Sequence, residues 1–193
     1  MKTFAAPFAA LALAGCATIP SSNPQDRFFE ALTSLCGMAY QGRIASPPVE
    51  ADASFAGKPL VMHVRECSES EIRIPFHVGE NRSRTWVVTR LESGLRLKHD
   101  HRHADGSEDV LTQYGGDTTN TGSESQQKFP VDQFSKDLFN RQNAAVSTTN
   151  VWAMEVVPGQ LFAYELRRAN RFFRVDFDLT TPVPAPPPPW GSR

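Results

Sequence analysis

The sequence lacks an excess of charge of either sign. Twenty lysines and arginines stand against 21 aspartates and glutamates, for a formal net charge of −1. Basic and acidic residues are interspersed, so no field exists to draw nucleic acid or an anionic surface to the folded body. A long hydrophobic run is also missing. The apolar stretch over residues 4–13 is about half of the roughly 20 residues that a membrane-spanning helix requires. Motifs of the common chemistries are absent as well. The chain has no Gly-x-Ser-x-Gly elbow, no phosphate loop and no His-Glu-x-x-His helix. These absences turn the reading away from a nucleic-acid binder, a helical membrane protein and the familiar hydrolases.

What is present begins at the N-terminus. Lys2 precedes the apolar run, and small residues then lead into a cysteine, the layout of a secretory signal. Leu13-Ala14-Gly15-Cys16 resembles the lipobox of bacterial lipoprotein precursors. The resemblance implies a signal peptide over 1–15, a lipid on Cys16 and a tether over 16–23. Ala17, where inner-membrane lipoproteins carry Asp, implies sorting to the outer membrane, facing the periplasm. Acyl chains supply about 0.8 kcal/mol of membrane affinity per buried methylene, so the body itself need not touch lipid. Of the three cysteines, Cys36 and Cys67 then remain in an oxidising compartment, where a disulfide between them is expected.

Downstream, Asn23 and Pro24 read as the N-cap and first residue of a helix, with Asp26 in its first turn. Phe28, Leu32 and Leu35 share one face, and Gly37 supplies the stop. The pattern then changes to period two. Leu60, Met62 and Val64 alternate with wetter neighbours, as do Ile72, Ile74, Phe76 and Val78. Trp86 and Val88, Leu95 and Leu97, Phe162, Tyr164 and Leu166, and Phe173, Val175, Phe177 and Leu179 follow. Such alternation means strands with one buried and one solvated face. Turns are expected at Ser93-Gly94, Asp105-Gly106, Pro158-Gly159 and Ala169-Asn170. Residues 115–127 read as a long polar loop or frayed hairpin. A second short helix is expected over 131–141, capped by Asp132, with Phe134 and Leu138 on its apolar face. The fold class is mainly β: an antiparallel barrel of about nine strands with two short helices over 24–181, with a β-sandwich as the alternative. Residues 182–193, rich in proline, are expected to form a disordered tail.

The sharpest local feature is the row His99, His101, His103, which continues the inward face of Leu95 and Leu97. If Asp105-Gly106 sets the hairpin, His103 faces Glu108, His101 faces Val110 and His99 faces Thr112, with Arg102 opposite Asp109. Three imidazoles and the Glu108 carboxylate could then hold a divalent transition metal. The spacing is similar to part of the first metal motif of cupin barrels. The other reading is a polar rim of hydrogen-bonded imidazoles beside Asp100, Asp105, Glu108 and Asp109. A separate candidate is an apolar cavity lined by Trp86, Trp152, Phe162, Tyr164, Phe173 and Phe177. The plan of helix, antiparallel barrel and late helix resembles the calycins, meaning lipocalins and related ligand-binding barrels, and that resemblance implies a small apolar ligand. Three functions stand at this point: a non-enzymatic ligand-binding barrel, a metal-binding protein or enzyme built on the histidine row, and an envelope structural or assembly factor.

Overall fold

Period-two patterning becomes one continuous antiparallel sheet in the computed structural model, which describes residues 23–192. The expected signal peptide, Cys16 and the tether before Asn23 lie outside the described residues. Eleven strands form: β1 (Ala39–Ile44), β2 (Leu60–His63), β3 (Glu66–Cys67), β4 (Glu71–Val78), β5 (Asn81–Leu91), β6 (Gly94–His101), β7 (Tyr114–Asp117), β8 (Gln126–Pro130), β9 (Val151–Val157), β10 (Leu161–Arg168) and β11 (Arg171–Val183). Their spatial order is β7-β6-β5-β4-β2-β1-β11-β10-β9-β8, with β3 pairing β4 to one side. The first strand therefore hydrogen-bonds the last, with Ala39 opposite Val183 and Ile44 opposite Val175. The result is a nearly closed barrel with two helices, α1 (Pro24–Thr33) and α2 (Gln133–Arg141).

The two ends of the sheet path, β7 and β8, meet without a strand ladder, and α2 fastens the seam. The Asp132 N–H donates to the Gly115 carbonyl (3.0 Å). The Ser135 hydroxyl accepts from the Gly115 N–H (2.8 Å) and donates to the Gly115 carbonyl (3.1 Å). Gly116 allows the approach, since a Cβ there would sit 1.8 Å from the Pro130 carbonyl oxygen. Asp132 also caps α2, accepting from the Ser135 N–H. The inward face of α2 is Ser135, Leu138 and Phe139. Phe134, expected on that face, is 51% exposed and lies under the Lys98 ammonium instead.

α1 closes one end of the barrel. Asn23 accepts from the Gln25 N–H and Pro24 opens the helix, as the sequence predicts. Phe28, Phe29 and Leu32 are buried in the core. Asp26 pairs with Arg90 of β5, whose guanidinium also lies over the Phe29 ring. Gln25 donates to Thr118 and to the Asn120 carbonyl. A disulfide joins Cys36, just past α1, to Cys67 in β3, with Cα atoms 6.3 Å apart. The expected pair is thus formed, and it ties the helix's exit to the barrel wall.

The hairpins at Ser93-Gly94, Pro158-Gly159 and Ala169-Asn170 join β5–β6, β9–β10 and β10–β11. The one expected at Asp105-Gly106 is different. A turn forms there, with the Gly106 N–H on the His103 carbonyl, but its returning segment makes only one bridge, Arg102 to Glu108. His103 consequently faces Ser107 rather than Glu108. The physical reason is side-chain competition. Asp109 folds back to accept from the Leu111 N–H, and Gln113 adopts φ 58°, so a regular strand resumes only at Tyr114, opposite His99. Arg102 takes Asp100 and Glu108, not Asp109. At the other end of the chain, Pro182 and Val183 still belong to β11. Beyond them, the Trp190 N–H donates to the Arg82 carbonyl, and the Arg82 guanidinium donates to that of Pro188. Where a disordered tail is expected, residues 188–192 instead lie against the outer side of β5 and β6.

Candidate functional site

Gly42 and a tier of rings divide the barrel interior. A Cβ at Gly42 would lie 2.6 Å from the Phe177 ring, so the missing side chain lets that ring lie over its cross-strand neighbour. Phe162 and Phe177 pack at 5.7 Å and are fully buried. Above them Trp86 is stacked between Phe76 (4.8 Å) and Tyr164 (4.5 Å). Toward the end opposite α1, the interior opens into a cavity of about 360 Å³. Its size is within the range of small-molecule sites. Trp86, Trp152, Tyr164 and Phe173 of the expected aromatic set line it, whereas Phe162 and Phe177 form packed core beneath. Phe55, Phe76, Tyr114 and Phe139 complete the aromatic wall.

His99 is sealed into this wall. Its ring stacks on Tyr114 at 4.5 Å. Nδ1 lies 3.1 Å from the Tyr114 carbonyl oxygen, which can only accept, so Nδ1 carries the proton. Nε2 must then accept from the Tyr164 hydroxyl at 2.8 Å. Burial, reinforced by His101, pushes the His99 pKa down to about 3, so the ring is neutral at pH 7. His101 faces the cavity, with Nε2 3.4 Å from the Tyr114 hydroxyl. Burial and the nearby Arg84 lower its pKa to about 4. Desolvation raises Tyr114 to about 12 and lifts Tyr164 well above its ordinary value. His99 and His101 are thus neutral and hydrogen-bonded to the two tyrosines, rather than an acid–base pair poised near pH 7.

The four expected metal ligands do not converge. Both nitrogens of His99 are engaged within the wall, and His101 points to the cavity. His103 is exposed at the turn, and Glu108 pairs with Arg102 on the outer face. Among the described residues, no group of three or more His, Cys, Asp or Glu side chains is placed to share an ion. The off-register return of residues 102–113 separates them: it moves Glu108 across the sheet from the inward face.

Three arginines at the mouth are absent from the sequence expectation. Arg171 is held by Asp52, itself 3% exposed. Arg84 lies over the Phe55 ring and donates to Asn81. Arg168 donates to Asn150. Burial lowers the pKa of both Arg84 and Arg168, and the neighbouring Arg171 adds to the effect on Arg168. Each continues an inward row by one step: Arg84 before Trp86, Arg168 after Leu166, Arg171 before Phe173. A cation in the buried phase at a strand's end is the signal that would have found them. Around them, exposed Val49, Val110 and Val146 sit on the three segments that frame the mouth. No family model, curated protein or solved structure matches the chain.

Proposed function

We propose that this domain is a non-enzymatic small-ligand-binding barrel, carried on the outer membrane by a lipid at Cys16 and facing the periplasm. One observation carries the ligand-binding reading: the aromatic cavity of about 360 Å³ that opens opposite the α1 plug. A barrel built only for structure would fill that space with side chains, as Phe162 and Phe177 do lower down. The neutral His99–Tyr164 pair supports a binding wall, because a base there would need a pKa near the working pH. The anchor rests on Leu13-Ala14-Gly15-Cys16 and on Ala17.

Native mass spectrometry of the protein extracted from its own envelope tests the first part. A bound small molecule beyond the covalent lipid is expected, released by denaturation. A polypeptide without such a mass, and without uptake of any apolar probe, overturns it. Metabolic labelling with palmitate tests the second part: label is expected on the wild type and lost in Cys16→Ser. Label retained by Cys16→Ser would place the lipid elsewhere.

A further inference from the structure

We infer that the cavity selects a molecule with an apolar, ring-sized body and one anionic group, which Arg84 and Arg168 bind at the mouth. The inference rests on the ligand-binding reading and names the class of ligand. Charge at the mouth is unbalanced in a specific way. Arg171 already has a carboxylate, Asp52. Asp109 also lines the cavity, but its Oδ1 accepts from the Leu111 N–H, and it forms no ion pair with Arg84 or Arg168. Among the described residues, Arg84 and Arg168 have no carboxylate within ion-pair distance; their side-chain partners are the neutral Asn81, Ser83 and Asn150. His101, beside Arg84, is neutral at pH 7 and adds no charge.

Two guanidinium groups thus stand partly desolvated over an aromatic chamber whose one lining carboxylate, Asp109, acts on Arg84 only beyond ion-pair distance. Removing a cation from water without pairing it is costly. An anion entering the mouth recovers that cost and gains charge-assisted hydrogen bonds, while its apolar body displaces water from the rings below. A neutral ligand gains only the second contribution. A cationic one meets repulsion from both arginines. A carboxylate, sulfonate or phosphate monoester head would serve equally, because guanidinium recognises the shared oxygen geometry.

A matched pair of fluorescent probes tests this on the full chain. 1-Anilinonaphthalene-8-sulfonate and N-phenyl-1-naphthylamine share one aromatic body and differ by a sulfonate. At low salt the sulfonate probe is expected to bind at one site per chain, about tenfold or more tightly than the neutral probe. Arg84→Gln with Arg168→Gln should remove that preference, lowering affinity for the sulfonate probe about tenfold more than for the neutral one, and Lys at both positions should restore part of it. Equal binding of the two probes by the wild type overturns the inference. So does a Gln pair that keeps the preference, or one that loses both probes together. Binding of neither probe overturns the ligand-binding reading itself, which separates the two failures.

Discussion

Lowering the pH from 7 to 5 should weaken this fold through the ring sealed behind the cavity wall. His99 is 2% exposed, and its pKa of about 3 stands well below the 6.5 of an unfolded histidine. Between those two values the unfolded chain takes up a proton that the folded chain refuses. Stability is therefore full above pH 6.5 and falls as the pH drops toward 3. The slope approaches about 1.4 kcal/mol per pH unit per histidine, so His99 alone removes roughly 2 kcal/mol by pH 5. His77 and His101, each lowered to about 4, push the same way. Carboxylates held low by ion pairs, such as Asp132 and Glu165, lose their contribution only at more acid pH. Urea unfolding, followed by tryptophan fluorescence at pH 7 and pH 5, gives the wild-type difference. His99→Gln retains a donor and an acceptor but has no proton to gain. Its loss between the two pH values should be smaller than the wild type's by about 2 kcal/mol, whatever its stability at pH 7. Equal losses would mean that His99 titrates in the folded protein, and the assignment of a neutral, doubly bonded ring would be wrong.

Gly116→Ala should destabilise by about 3 kcal/mol or prevent folding, because the clash is with a backbone carbonyl that cannot rotate away; a midpoint within experimental error of wild type would refute the tight seam. Gly42→Ala should cost less, about 1–2 kcal/mol, since the Phe177 ring can shift, and it should shrink the room for any probe above. Cys36→Ser with Cys67→Ser should lower stability by about 3–4 kcal/mol in the chain-entropy account of a loop spanning 31 positions, measured against the oxidised protein in urea. Reduction of the wild type should give the same loss.

The strands with regular inward rows were legible because burial on one face enforces period two. Leu95 to His101 and Phe173 to Leu179 are the clearest cases. β7 and β8 were not, since Gly115, Gly116 and Gln127 carry no apolar alternation. What holds them is backbone approach and the Ser135 hydroxyl, neither visible in a pattern of side-chain types. The second helix starts at its Asp132 cap as the sequence predicts, but it turns Phe139 rather than Phe134 to the core beside Leu138. In the site, Trp86, Trp152, Tyr164 and Phe173 were legible as inward aromatics. The histidine row was correctly phased as far as His101. Its proposed partner Glu108 failed on a single shift of register, which moves a residue to the opposite face.

The pairing of β1 with β11 also orders events in time. Residues 39–44 find a neighbour on one side as soon as β2 exists, yet the other side stays open until the last strand has been made. No earlier segment can substitute, because β2 and β11 flank β1 in the finished sheet. A chain emerging N-terminus first therefore carries an unpaired edge until residues 171–183 follow, and closure is its strand pairing of greatest sequence separation. The Cys36–Cys67 link needs only the first third of the molecule. It can hold α1 and β3 together while that edge waits for residues 171–183 to arrive.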